Sequence, residues 1–141
     1  MKRKKILFIC VHNSGRSQIA EEILKKYGGE LYEAESAGLE PTEINPMVTK
    51  VLLEKEGIDI IGKKAVSVSE TLRKGHIFWE VVTVCDRTTH MKCPVFPGIQ
   101  QRLLWPFPDP EEFTGTEEEK IKQTEELIES IKQKIMDHFK I

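Results

Sequence analysis

The sequence predicts a single α/β domain, a doubly wound parallel sheet flanked by helices. Three observations carry that expectation. Short apolar runs of strand length occur at residues 5–10 and 80–85; segments with helical apolar spacing lie between and after them; and 141 residues can bury one sizeable core without dividing into two domains, so one domain over 1–141 is expected.

The first run, Lys-Ile-Leu-Phe-Ile-Cys, has no alternation, as a strand covered on both faces requires. A polar turn from Val11 to Arg16 follows. From Ser17 the positions Ile19, Ala20, Ile23, Leu24 and Tyr27 have helical spacing, and Gly28-Gly29 supplies a stop. Residues 31–37 form a second strand ending at Gly38. Asn45-Pro46 reads as an N-cap with proline at the first helical position, opening a helix that carries Val48, Val51 and Leu52 and stops at Gly57. Ser67 to Glu70 and Thr116 to Glu119 both have capping-box spacing, so helices start there. In the last helix Ile121, Ile128, Ile131, Ile135 and Phe139 form one apolar face. Residues 86–113, which hold five of the seven prolines, read as one long irregular segment, functional or mobile. Cys10 and Cys85 both fall at the carboxyl edge of the sheet, where ligands bind in open α/β folds.

Composition excludes several classes of function. Lys plus Arg number 21 and Asp plus Glu 23, so no global basic field exists to attract a nucleic acid or an anionic membrane. The basic opening, Met-Lys-Arg-Lys-Lys, is followed by too short an apolar run for an export signal, and no stretch approaches the roughly 18 apolar residues of a membrane span. A soluble cytoplasmic protein is expected. Three cysteines, Cys10, Cys85 and Cys93, are an odd number in a chain of cytosolic composition, which argues against a structural disulfide framework. The potential zinc ligands His90, Cys93 and Cys85 lack the usual paired spacing, and no metal is expected.

The chemistry concentrates in Cys10-Val-His-Asn-Ser-Gly-Arg16-Ser17. A loop wound from a strand end into a helix N-terminus turns successive backbone N–H groups inward and, with the helix dipole, holds a dianion. Val11, His12, Asn13, Ser14, Gly15, Arg16 and Ser17 would then bind the oxyanion. The Arg16 guanidinium can add a bidentate fork. The same positive surroundings favour a Cys10 thiolate, a nucleophile. Gly15 permits a tight turn, and Asn13 tolerates a left-handed backbone. By itself Cys-x5-Arg is common by chance; between an apolar strand and a capped helix it meets the context its mechanism requires.

This loop resembles the anion loop of low-molecular-weight protein tyrosine phosphatases and of the arsenate reductases that share their fold. The resemblance runs over nearly the whole chain and includes Glu35-Ser-Ala-Gly38 after the second strand and Asp109-Pro110 before the last helix. It implies a four-stranded sheet of that type. It also implies that Asp109 is the general acid, a residue that on its own reads equally as a turn former between Pro108 and Pro110. Thioredoxin-coupled arsenate reductases carry a second cysteine at a strand end and a third a few residues on in a Cys-Pro step, and Val82-Thr-Val-Cys85 and Cys93-Pro94 match both.

The implied function is reduction of arsenate to arsenite: an adduct on Cys10, a Cys10–Cys85 disulfide, then transfer of the oxidation to Cys93 and to thioredoxin. No cofactor is called for, and a monomer without nucleic-acid or membrane partners is expected. A low-molecular-weight phosphatase is the alternative. Glu111-Glu112-Phe113 after the Asp-Pro pair argues against it, since that branch has tyrosines there and two acids would repel a phosphopeptide. A non-enzymatic thiol sensor is the third reading; it leaves Arg16 and Asp109 without a purpose. His12 replaces a glycine of many members and Gly15 a cysteine, and His12 is kept outside the catalytic set. Some members bind potassium beneath the loop through Asn13, Ser36 and a later Thr and Asp. Lys63-Lys-Ala-Val66 does not supply the last two, so no potassium site is expected and a lysine is expected to supply the charge.

Overall fold

The structure, a computed structural model, describes residues 3–98 and 101–141; Met1 and Lys2 of the basic opening, and Ile99 and Gln100 of the proline-rich segment, lie outside the described residues. Strand β1 (Lys4–Cys10) is central in a parallel sheet of order β2-β1-β3-β4, with β2 at Tyr32–Gly38, β3 at Glu80–Thr83 and β4 at Gln101–Leu104. Among the described residues four helices lie between the strands, α1 (Arg16–Gly28), α2 (Pro46–Glu56), α3 (Val68–Arg73) and α4 (Arg87–Lys92), and α5 (Glu117–Phe139) follows the last strand.

The lack of alternation in β1 is explained by helices on both sides. Ile6, Phe8 and Cys10 face one core layer with Ile19, Ile23, Leu24, Leu52, Ile128, Ile131 and Ile135 of α1, α2 and α5. Leu7 and Ile9 face the other, with Val68 of α3, Phe78, Val81, Cys93 and Phe96. Burying these side chains is the main stabilisation of the fold, at about 1.5–3 kcal/mol for each large aliphatic or aromatic group.

Helix ends follow local chemistry. Asn45 Oδ1 accepts from Met47 N and Val48 N at the start of α2, and Gly57, at φ 69°, closes it in the left-handed region. Ser67 Oγ accepts from Glu70 N. Thr116 and Glu119 form a complete capping box at α5.

Four expectations need correction. Residues 86–113 are not one irregular segment: they contain α4, β4 and a 3-10 turn at Pro110–Glu112. These elements are three to six residues long, and β4 is an edge strand with an exposed or half-buried face, so neither shows apolar periodicity. Cys85 lies two residues beyond β3 rather than ending it, and Glu35-Ser-Ala-Gly38 is the end of β2 rather than a stretch after it. Finally, α1 starts at Arg16 with Gly15 as N-cap and no side-chain cap, so no side chain competes for its first-turn N–H groups.

Candidate active site

Cys10 ends the central strand, buried at 2% exposure, and the loop turns over its sulfur. Asn13 N–H donates to Cys10 Sγ at 3.1 Å, and Ser17 Oγ lies 2.9 Å from the same sulfur. The loop's carbonyls point the other way. Cys10 O, Val11 O, His12 O and Ser14 O accept from Leu39 N, Glu40 N, Thr42 N and Asn45 N at 3.3, 2.7, 3.1 and 2.9 Å. With those acceptors satisfied on the outside and the Asn13 N–H turned to the sulfur, the loop has the form that the sequence reading expects of an anion nest. The close approach explains Gly38: a Cβ there would lie 2.7 Å from Asn13 N and 2.8 Å from Val11 O.

Asn13 holds the loop's shape. Its φ of 52° is left-handed, as the sequence predicts, and buried partners secure it. Gln18 Nε2 donates to Asn13 O and Oδ1 at 3.0 and 2.9 Å, Val66 N donates to Oδ1 at 2.8 Å, and Asn13 Nδ2 donates to Ser17 Oγ and Ser36 Oγ at 2.7 and 2.9 Å. Ser36 Oγ donates onward to Glu21 Oε1. Lys63 Nζ donates to that same oxygen at 2.9 Å and to Glu22 Oε2 at 2.7 Å. Burial raises the Glu21 carboxyl, but Lys63, Lys25 and Ser36 together hold it below the ordinary glutamate range. Lys63 thus sets an ammonium on Glu21 beneath the loop.

Arg16 and Asp109 come together across 93 residues of sequence: Nη2 lies 3.6 Å from Asp109 Oδ2, and Nη1 donates to Phe107 O at 3.1 Å. Asp109 is also the turn residue that the sequence allows, since its Oδ1 accepts from Glu111 N at 2.9 Å and caps the 3-10 turn. His12 is tied by Nδ1 to Glu40 O at 2.9 Å.

Cys85 shares the core layer of Cys10, whereas Cys93 lies in the opposite layer at the C-cap of α4. Burial pushes the Cys85 thiol up; hydrogen bonds from Thr89 and Asp86 N–H pull it back, and both Cys10 and Arg16 are close enough to act on it electrostatically. Burial likewise raises the Cys93 thiol, against a lowering by Arg102. Arg102 Nη2 donates to His90 O at 3.1 Å and Cys93 O at 3.3 Å. All three cysteines are free thiols. Among the described residues no group of three His, Cys, Asp or Glu side chains is arranged to hold a metal ion, and no helix is long and apolar enough to cross a membrane.

Sequence reasoning missed the supports. Gln18 and Glu21 beneath the loop, Arg102 behind Cys93 and the reach of Asn45 to Glu111 are the missed contacts, whereas Ser36 was named through the resemblance and the lysine beneath the loop had a local signal in Lys63-Lys64.

The family model for low molecular weight phosphotyrosine protein phosphatases matches residues 5–140. Arsenate reductase from Halalkalibacterium halodurans is 40% identical over 121 residues, 85% of this chain and 84% of that protein. Arsenate reductase from Oceanobacillus iheyensis is 36% identical over all 141 residues, 96% of its own length. Among solved structures, the thioredoxin-dependent arsenate reductase from Corynebacterium glutamicum superposes with a TM-score of 0.65 at 31% identity; the match covers 95% of this chain, which spans 62% of that protein's length. The chain belongs to the low-molecular-weight phosphotyrosine protein phosphatase family, and the relatives named above are arsenate reductases.

Proposed function

We propose that this enzyme reduces arsenate to arsenite through a covalent adduct on Cys10 and a relay of three thiols regenerated by a thioredoxin, with residues 1–141 acting as one monomeric cytoplasmic domain. The loop holds three arsenate oxygens with its N–H groups and the Arg16 fork. Cys10 Sγ forms a bond to arsenic, and the displaced oxygen leaves as water with a proton from Asp109. Cys85 then attacks Cys10 Sγ. The sulfur–sulfur bond forms, the sulfur–arsenic pair stays on arsenic, arsenic(V) becomes arsenic(III), and two thiols have supplied both electrons. Cys93 attacks Cys85, frees Cys10 and carries the disulfide to the outside, where a dithiol reductant removes it.

The observation that carries this reading is Cys85, buried in the layer of Cys10 and within the electrostatic reach of Cys10 and Arg16. A phosphatase returns its thiolate by hydrolysis and has no use for a thiol there. The phosphatase reading draws on Cys10, Arg16 and Asp109, which suffice for an aryl phosphate. Against it stand exposed Glu111 and Glu112 beside the acid, which disfavour a phosphopeptide. The named relatives support the reductase.

The test is arsenate-dependent NADPH oxidation with thioredoxin and its reductase, run beside hydrolysis of an aryl phosphate. Turnover of arsenate alone is expected. In Cys93→Ser, about one equivalent of arsenite per enzyme should appear before the protein stalls as a Cys10–Cys85 disulfide, seen by peptide mapping. Full turnover in that variant, or phosphatase activity without arsenate turnover, would sink the relay.

A further inference from the structure

Asn45 lies where three separated segments meet. Its backbone N–H donates to Ser14 O of the anion loop at 2.9 Å. Its Oδ1 accepts from Met47 N at 2.8 Å and Val48 N at 3.3 Å, capping α2. Its Nδ2 donates to Glu111 Oε1 at 3.0 Å. The residue is buried, with 8% exposure. Glu111 in turn donates its backbone N–H to Asp109 Oδ1 at 2.9 Å. Between them Pro110 packs on Gly15, where a Cβ would fall 2.7 Å from the proline Cγ.

The segment that bears the acid is therefore pinned to the anion loop at two points, Pro110 on Gly15 and Glu111 on Asn45, and Asp109 faces Arg16 beside them. Capping alone does not ask for asparagine. A serine or aspartate oxygen caps as well, and what the amide adds is a donor aimed at Glu111. That donor has mechanical consequence, because a cavity of about 330 Å³ lies alongside, lined by Asn45, Met47, Pro110, Glu111 and Phe113. Without the Asn45 contact the acid segment has room to shift.

We infer that Asn45 is a positioning residue: it couples the anion loop to the acid segment and holds Asp109 at the oxygen that leaves arsenic. The inference rests on the reading of Asp109 as the general acid. A general acid is worth about 10²–10⁴ in rate, and a displacement of about 1 Å can forfeit much of that.

The experiment measures arsenite release in a single turnover by the full chain, with thermal melting in parallel. Asn45→Asp keeps a capping oxygen and sets a second carboxylate against Glu111, and is expected to slow release about tenfold with little change in melting temperature. Adding Glu111→Gln supplies an amide opposite the new carboxylate and restores most of the rate. In an Asp109→Asn background, Asn45→Asp costs at most about twofold, because the acid it positions is gone. Asn45→Ser caps without the donor arm, shows a smaller loss of the same kind, and serves if the aspartate variant does not fold. Full rate in the folded Asn45 variants beside a slow Asp109→Asn, no recovery with Glu111→Gln, or losses that simply multiply in the Asp109→Asn background would each overturn the positioning role. Full rate in Asp109→Asn itself would overturn the acid assignment beneath it.

Discussion

Arg16 has two partners in the resting site, Phe107 O and the Asp109 carboxylate, and both are groups an incoming oxyanion must compete with or join. Its fork can take two oxygens at once, which a lysine cannot do. Arg16→Lys should therefore raise the arsenate KM by about tenfold to a hundredfold, the equivalent of one charged hydrogen bond; an unchanged KM would remove the bidentate argument. Beneath the loop, Lys63 is the cation on which the chain Glu21, Ser36, Asn13, Ser17 and Cys10 ends. Lys63→Met leaves Glu21 with Lys25 alone, and should lower unfolding free energy at pH 7 by about 1–3 kcal/mol in urea titrations. The sign with pH follows from the depressed Glu21 carboxyl. Its contribution is complete above the unfolded glutamate value of 4.5 and is lost as pH falls through the lower folded value, so variant and parent should converge in acid. A difference that persisted at low pH would locate the effect in packing instead. Cys10, Arg16 and the left-handed Asn13 were legible in the sequence because the loop is one contiguous motif. Glu21 with Lys63, and Asn45 with Glu111, lie 42 and 66 residues apart, and no local pattern encodes such pairs.

Elements with caps and long apolar faces were also legible: β1 as a run buried on both faces, α2 from Asn45-Pro46 to Gly57, and α5 from its capping box. Helix α4 was not, since six residues make fewer than two turns and Cys93-Pro94 follows at once. It is held by contacts outside itself. Asp86 Oδ1 accepts from Thr89 N at 2.8 Å, His90 Nδ1 meets Thr83 Oγ1 at 3.0 Å, and Arg102 binds the carbonyls of His90 and Cys93. Burial, reinforced by Arg102 and Arg87, holds His90 below the ordinary imidazole range, so the ring meets Thr83 neutral near pH 7. Arg102→Ala should loosen the end that carries the third thiol. Cys93 is buried, with 5% exposure, and reacts through opening, so its alkylation rate should rise about fivefold, the equivalent of about 1 kcal/mol, with Cys85 little changed. Equal acceleration at both cysteines would mean global destabilisation rather than release of α4.

At the scale of the whole molecule, the sheet divides the three thiols, with Cys10 and Cys85 in the layer of α1, α2 and α5 and Cys93 in the layer of α3. In the proposed relay, passing oxidation from Cys85 to Cys93 is therefore a structural change as well as a chemical one. Six helical residues between them span about 9 Å at 1.5 Å each, and a disulfide brings its Cα atoms within about 7 Å. The bonds from His90 N to Asp86 O and from Cys93 N to Thr89 O, both 3.1 Å, cannot survive that shortening together. Cys93 must also leave its packing with Leu7, Ile9, Phe78 and Phe96, which exposes part of that layer. Arsenate treatment without a reductant should thus give a protein with a Cys85–Cys93 disulfide in which the His90 and Cys93 amides have lost protection from hydrogen exchange. Exchange should stay slow in β1 and in α5, which remain packed in the first layer. Cys93→Ser, stalled one step earlier, should keep α4 protected under the same treatment. Protection of both amides in a protein shown by peptide mapping to hold the Cys85–Cys93 link would mean that the third thiol reaches the second without unwinding α4, and the opening proposed for the relay would have to be abandoned.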